Sequence, residues 1–242
     1  MRTLIAALSL AVASFGAADA STSLSVQATT NIFKASATGG GDGIVPTAVG
    51  FSPAAGLVLT FSSITGLTDC CSGTPDMNAD GTTGLVFSGN SSVTSSGGIS
   101  GLTALGRQLF LAGLFVDSST PPSGTAPTTL AYGGAGLSYE LASYSPSLNQ
   151  TFFIGDGLTG TGSGTVQSFV APAGADTLYL GFVDAGGFNG GPNFYNDNRG
   201  QLDVTFTLAA PSAAIPLPAA LPLSLAALGG LGLLGARSRR KG

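Results

Sequence analysis

The chain has 242 residues, a mean hydropathy of +0.41, no histidine and a formal charge of −4 at pH 7. The absence of histidine excludes Ser-His-Asp and Cys-His nucleophile pairs and the usual zinc and copper sites. Residues 21–211 hold eleven acidic and three basic residues, a formal charge of −8, which disfavours nucleic acid and anionic membrane surfaces as partners and favours cations.

The first twenty residues, 1–20, have the pattern of a secretory signal peptide. Arg2 supplies the positive start, Leu4–Val12 is apolar but too short to span a bilayer, and Ala18-Asp19-Ala20 has the small-x-small form of a cleavage site. We therefore expect a chain that is exported through the inner membrane and begins at Ser21 after cleavage. An uncleaved N-terminal anchor is the alternative.

Apolar and polar residues then alternate, as they do in strands with one buried face. The alternation is clearest in Leu57–Phe61, Leu178–Phe182 and Leu202–Leu208, whereas Leu109–Val116 is continuously apolar. Glycine, serine and threonine separate these segments at short intervals, and no helical pattern intervenes. We therefore predict one all-β domain over residues 21–211, with about eight strands in a sandwich of two antiparallel sheets.

Three stretches rich in glycine or serine have no chemistry of their own. Gly39–Gly43 is similar to one unit of a calcium-binding nonapeptide repeat, but a single copy cannot stack into a solenoid. Gly160–Gly164 lacks the following helix that phosphate binding requires, so we expect a hairpin turn. Ser88–Gly101 is expected to be a long surface loop.

Cys70 and Cys71 are the only cysteines, and they are adjacent. In an oxidising compartment they can form a vicinal disulfide, cross-link two molecules or remain thiols. The vicinal disulfide is the interpretation that we favour.

Asp76, Asn78 and Asp80 place oxygen side chains at alternate positions before Gly81, like the first half of a calcium loop. A full EF-hand is excluded because Phe87 stands at the twelfth position, where glutamate is needed. The segment is a secondary calcium candidate, and an ordinary Asx-turn is the alternative that we favour.

The strongest site candidate lies further along the chain. The predicted strand Thr177–Asp184 ends in an acid, and a polar loop then leads to Asp197 and Asn198 before the next strand. If the two strands form a hairpin, these side chains meet at one end of it, and such oxygen ligands suit calcium. The alternative is a solvated acidic loop with Arg199 as its counter-ion.

Without histidine, the enzyme class that remains is one that uses only Asp and Glu side chains. A pair of such carboxylates can cleave a glycosidic bond. Glu140 is the only glutamate, and no cluster of acids surrounds it in the sequence. We expect no enzymatic activity, and a carboxylate-based glycosidase is the least implausible enzyme.

Residues 149–208 resemble the galactose-binding-like sandwich of bacterial calcium-dependent galactophilic lectins. The resemblance rests on Phe152–Gly157, on Phe169–Gly174 and on the segment from Asp184 to Asn198. It implies a galactose-binding-like jelly roll.

In these lectins a strand-end acid and a later pair of oxygen side chains ligate a calcium that also receives sugar hydroxyls. The resemblance assigns these roles to Asp184, Asp197 and Asn198, with backbone carbonyls, one from a loop near the paired cysteines, completing the site. The loop is longer here, Arg199 replaces a small residue, and the sugar-contacting histidine is absent. Calcium is therefore better supported than galactose.

Residues 212–242 have the composition of a membrane-targeting tail. The apolar run 219–236 would form a helix of about 27 Å, enough to span a thin bilayer, and the basic cluster Arg237–Lys241 places its end in the cytoplasm. Ile215-Pro216-Leu217-Pro218-Ala219 precedes the run, and its prolines keep the backbone extended. A buried core helix with a solvated basic tail is the alternative.

This tail is similar to the VPLPA-CTERM branch of the PEP-CTERM sorting signals, with Ile215 where that branch usually has valine. The resemblance implies a Gram-negative bacterial source and an exosortase-type membrane protease that cleaves near Pro216–Pro218. The galactose-binding-like architecture recurs among exported proteins of this kind.

Together these features lead us to expect an exported calcium-binding module at the cell surface or in the extracellular matrix. It would be anchored transiently by its C-terminal helix, and the resemblance implies an extracellular polysaccharide as its ligand. The alternative is a structural or adhesive coat protein in which calcium only stabilises the fold.

Overall fold

The computed structural model describes residues 21–54 and 56–210. The predicted signal peptide 1–20, the predicted sorting motif 215–219 and the predicted span 219–236 lie outside the described residues. Within the described part the fold is all-β, as predicted, and its helices are three short 3-10 turns. No helix in this part is long and apolar enough to cross a membrane.

The strands and 3-10 helices have the following bounds: β1 Thr22–Gln27, β2 Ala48–Gly50, β3 Val58–Asp69, β4 Ser91–Val93, β5 Leu102–Ala104, β6 Leu111–Val116, β7 Leu130–Tyr132, β8 Ser143–Tyr144, β9 Phe152–Phe153, β10 Leu158–Gly160, β11 Ser163–Val166, β12 Ser168–Val170, β13 Thr177–Phe182, β14 Asn189–Gly190 and β15 Arg199–Ala209, with 3-10 helices at Ile32–Ala35, Gly186–Phe188 and Tyr195–Asp197.

The largest sheet has five strands in the order β1-β15-β3-β12-β8. Its two longest strands, β3 and β15, pair antiparallel from Arg199↔Asp69 to Ala209↔Val58, with an irregularity between Thr205 and Phe206. Alternate residues Leu202, Val204 and Phe206 of β15 are buried. This is the one-sided burial that the sequence predicts.

A four-stranded sheet in the order β2-β13-β6-β9 lies between two others. Every residue of β6 is buried, as expected for a continuously apolar strand covered on both faces. Neighbouring residues of a strand point to opposite faces. The ring of Phe152 lies 5.3 Å from that of Phe169 in the five-stranded sheet, while the ring of Phe153 lies 5.7 Å from that of Tyr132 in β7.

The remaining strands form the sheet β14-β4-β5-β7 and the hairpin β10-β11. The hairpin confirms the turn predicted at Gly160–Gly164. The predicted loop Ser88–Gly101 instead contains β4. The several sheets are consistent with a β-sandwich, but the prediction of purely antiparallel sheets is wrong, because the pairs β12–β8, β14–β4 and β5–β7 are parallel.

The predicted hairpin between β13 and β15 is also wrong. β13 pairs with β2 and β6 in the central sheet, whereas β15 pairs with β1 and β3. The physical reason is that β13 is buried almost throughout and needs cover on both faces, whereas β15 alternates and has one exposed face. The loop from Asp184 to Asn198 therefore crosses from one sheet to another.

Candidate functional site

Asp184 and Asn198 meet although their strands do not pair. Asp184 follows β13 by two residues, Asn198 immediately precedes β15, and both are buried. Asn198 Nδ2 donates to Asp184 Oδ2 at 2.8 Å and to the Ala28 carbonyl at 3.1 Å. Asn198 Oδ1 is buried and has no hydrogen-bond partner in the part of the chain that the structure describes. A buried oxygen of this kind fits a cation.

Asp197 lines the same cavity as Asp184. This disulfide cavity has a volume of about 280 Å³, and Cys70 and Cys71, which form a vicinal disulfide, lie on its wall. The placement near the cysteines is the one that the resemblance implies. The structure thus brings together the two predicted carboxylates and the predicted amide.

The pKa of Asp184 is raised to about 7, chiefly because burial disfavours the charged carboxylate. The negative charges of Asp197 and Asp42 raise it further. Two donors act in the opposite direction, the Asn198 amide and the Ala185 backbone N–H, which donates to Asp184 Oδ1 at 2.7 Å. A cation beside these acids would favour the ionised form.

Asp42 holds the loop that carries Asp197, a role that the sequence did not reveal. Its Oδ1 accepts from Tyr195 N at 2.8 Å and its Oδ2 from Asn196 N at 3.2 Å. The Asp184 backbone N–H in turn donates to the Tyr195 hydroxyl at 3.0 Å. Asp42 belongs to the glycine-rich stretch that looked like an isolated repeat unit. A carboxylate among glycines was the only signal that could have indicated this role.

Four residues on the wall of the disulfide cavity have a left-handed backbone: Cys71 (φ +70°), Phe87 (+50°), Phe188 (+59°) and Phe194 (+73°). They are four of the seven non-glycine residues with positive φ in the described part of the chain. Bulky residues in this conformation cost free energy and concentrate at functional sites. Sequence analysis missed the three phenylalanines, because isolated aromatics in polar loops have no periodic pattern.

Two of these aromatic side chains are open to solvent. Phe87 is 73% exposed and Phe194 is 52% exposed. Exposed large apolar side chains at a concave surface mark ligand sites. The cavity therefore combines two carboxylates with an apolar rim.

Arg199 does not act as the counter-ion of this loop. Its guanidinium donates to the carbonyls of Asn196, at 3.2 Å, and Asn198, at 2.8 Å. Within residues 21–54 and 56–210 it forms no ion pair with Asp184 or Asp197. The acids of the disulfide cavity are thus not neutralised by the nearest arginine.

The secondary calcium candidates each have other partners. Asn78 Oδ1 accepts from Thr82 N and from Thr82 Oγ1, which is a local turn. Asp80 Oδ1 accepts from Asp156 N at 3.1 Å. The Asp76 carboxylate lies beside Gly84, where an added Cβ would collide with it. This segment has the turn chemistry of the favoured alternative.

A second cavity, of about 330 Å³, has Asp80, Arg107, Tyr139 and Glu140 on its wall. Glu140 thus shares a cavity with another acid, which the sequence did not indicate. Burial raises the pKa of Asp80, and the Asp156 carboxylate raises it further. We refer to this site as the Asp80 cavity.

In the described ranges no group of three or more acidic, cysteine or histidine side chains is arranged to hold a metal ion. A calcium ion at Asp184 would therefore depend on two carboxylates, one amide, and backbone or water oxygens. No protein-family model, curated protein or solved structure matches the chain.

Proposed function

We propose that this chain is an exported calcium-binding module that binds extracellular polysaccharide. The observation that carries the proposal is the convergence of Asp184 and Asp197 on the wall of the disulfide cavity, with Asn198 hydrogen-bonded to Asp184. Calcium takes six to eight oxygen ligands, and carboxylate and amide oxygens are among those it prefers. The two Asp184 oxygens each accept one hydrogen bond, which leaves lone pairs for a metal ion.

The rest of the proposal comes from resemblance and composition. The sandwich would be of the galactose-binding-like type, and residues 212–242 would direct an exosortase-type protease to the sequence motif at 215–219. The module would reside at the cell surface or in the matrix, without enzymatic activity.

A calcium titration tests the metal site. Calcium at about a hundred times its dissociation constant should stabilise the purified protein by roughly 2.7 kcal/mol, measured as a rise in melting temperature that chelator reverses. The double variant Asp184→Ala with Asp197→Ala should abolish the rise, because it removes both charged ligands. Asp76→Ala is the matched control and should retain it. An unchanged rise in the double variant would refute the site, and a rise lost in Asp76→Ala alone would move it to the Asp76–Gly81 loop.

The exposed aromatic residues favour a binding role over a purely structural one. Retention on immobilised polysaccharide from the producing cell should require calcium and should be lost in the double variant Phe87→Ala with Phe194→Ala. The same variant should keep its calcium-dependent melting shift, because neither ring is a metal ligand. Val45→Ala, at a position that is 65% exposed, is the control for loss of surface apolar area. Retention that is indifferent to chelator would instead favour the adhesive coat protein.

A further inference from the structure

The Asp80 cavity shares no wall residue with the disulfide cavity. It lies among the turn that carries Asp80, the loop that carries Arg107, the segment 133–140 and the β10–β11 hairpin. Its volume of about 330 Å³ is within the range of small-molecule sites. The calcium site does not account for it.

Asp80 presents an unsatisfied oxygen at this cavity. The residue is only 4% exposed, and its Oδ1 already accepts from Asp156 N. Its Oδ2 is buried and accepts no hydrogen bond within 3.5 Å among the residues that the structure describes, although the nearby Thr161 hydroxyl partly offsets the rise that burial causes in the pKa of Asp80. Leaving a buried carboxylate oxygen without a donor costs free energy. The site therefore lacks a donor that a ligand could supply.

Arg107 is held next to that oxygen. Its Nη1 lies 4.0 Å from Asp80 Oδ2, which is too far for a hydrogen bond, and donates to Thr161 Oγ1 at 3.3 Å. The guanidinium also lies over the Tyr139 ring, 4.7 Å from its centroid. A guanidinium has five N–H donors, so this arginine can still donate to a ligand.

The pair favours a group that is both a hydrogen-bond donor and an acceptor. A group that bridges Asp80 and Arg107 must donate to the carboxylate and accept from the guanidinium. A hydroxyl does both through one oxygen atom, whereas an amide needs two separate atoms, an ammonium has no acceptor and an ionised acid has no donor. We propose that the Asp80 cavity binds a neutral saccharide, with one sugar hydroxyl between Asp80 Oδ2 and Arg107. The hydroxyls of Ser138 and Thr159 on the same wall suit further sugar hydroxyls.

Saccharide binding in chelator tests this proposal independently of the calcium site. Protein purified from cells that express the whole chain is titrated in EDTA with glucose, galactose, mannose, maltose and lactose, and with ethylamine as an amine that has no hydroxyl. Binding is followed by saturation-transfer NMR. At least one saccharide should bind and ethylamine should not. Asp80→Asn should weaken binding about tenfold to a hundredfold, because it removes a hydrogen bond to a charged group.

Three further variants make the result decisive. Ser138→Tyr adds a ring at an exposed position of the cavity wall and should also weaken binding, which tests the site even if Asp80→Asn fails to fold. Ser52→Tyr, at an exposed serine that lines neither cavity, should bind normally. The double variant Asp184→Ala with Asp197→Ala should bind saccharide in EDTA as the wild type does. The proposal is overturned if no saccharide binds, if only ethylamine binds, if Asp80→Asn and Ser138→Tyr leave affinity unchanged, or if the Asp184 double variant alone loses binding.

Discussion

Asp184 is a buried acid whose raised pKa follows from its position between two sheets. The residue is 2% exposed, and the hydrogen bonds from Asn198 and Ala185 only partly offset its loss of hydration. Without a metal ion the folded chain therefore holds a proton at pH values where the unfolded chain has already released it. Folding and protonation are linked at this one residue.

The metal-free protein should lose stability as pH rises. The folded pKa of Asp184, about 7, exceeds the unfolded value of 3.8, so this contribution is fully present below pH 3.8 and is lost as pH rises through about 7. We expect the melting temperature in EDTA to fall between pH 5 and pH 8. Asp184→Asn should flatten this part of the curve, and so should saturating calcium. A profile of equal slope in wild type and Asp184→Asn would contradict the linkage.

Asp42→Ala should disturb the disulfide cavity from a distance. The change removes two acceptors from the backbone N–H groups of Tyr195 and Asn196, and hydrogen bonds to charged groups contribute about 1.5–3 kcal/mol each. We expect a loss of unfolding free energy on that scale in urea titrations, together with weaker calcium binding. Glu140→Ala, which removes an exposed carboxylate, is the control and should leave both unchanged. Normal calcium affinity in Asp42→Ala would show that the Tyr195–Asp197 turn keeps its shape unaided.

At the scale of elements, the pattern of apolar and polar residues predicted where strands lie better than it predicted which strands pair with each other. The alternation in Leu202–Leu208 and the apolar run in Leu109–Val116 correspond to a half-buried strand and a fully buried one. The parallel pair of β5 and β7 could not be predicted, because a strand of three residues is too short to show an alternation of apolar and polar residues. The sequence predicted that Asp184 and Asn198 lie close together, and they do. The predicted cause was a hairpin between their strands, whereas the observed cause is a connection between two different sheets.

Aromatic stacking between sheets is expected to dominate the stability of the core. Rings of Phe115, Phe152, Phe169 and Tyr144 follow one another at 5.3, 5.3 and 5.6 Å. Phe152→Ala removes a fully buried member and should cost about 3–5 kcal/mol in denaturant unfolding. Val45→Ala changes a side chain that is 65% exposed and should change stability by less than about 0.5 kcal/mol. Similar losses of unfolding free energy in the two variants would mean that the four stacked rings stabilise the core no more than an exposed side chain does.

At the scale of the whole molecule, charge is divided between the parts of the chain. Five of its eight basic residues lie in the two predicted targeting segments, so the predicted processing would leave a strongly acidic module. Self-repulsion keeps such a module soluble, and it also makes cations favourable partners. The acids at the disulfide cavity are the part of this excess that the fold concentrates.

Intact-mass measurement of protein from the native cell tests the sorting prediction. We expect the mature chain to begin at Ser21 and to lack the segment after Pro218, because prolines disfavour regular structure in this segment and a protease binds such a peptide. Deletion of the exosortase gene is the control and should restore the mass of the tail. A mature protein that still contains Arg240 in cells with an active exosortase would contradict cleavage.

The Cys70–Cys71 bond closes the smallest loop that a chain allows. A cross-link that stabilises by restricting the unfolded chain has little effect when the joined residues are already neighbours. Its consequence is local, because it fixes the backbone of one wall beside Asp184 and Asp197. A newly made chain in the reducing cytosol would lack this bond, so one wall of its cavity would not be fixed. On the proposed export route the oxidant is met only outside the cytosol, so the proposed binding site would mature only after the chain has left the compartment where it was made.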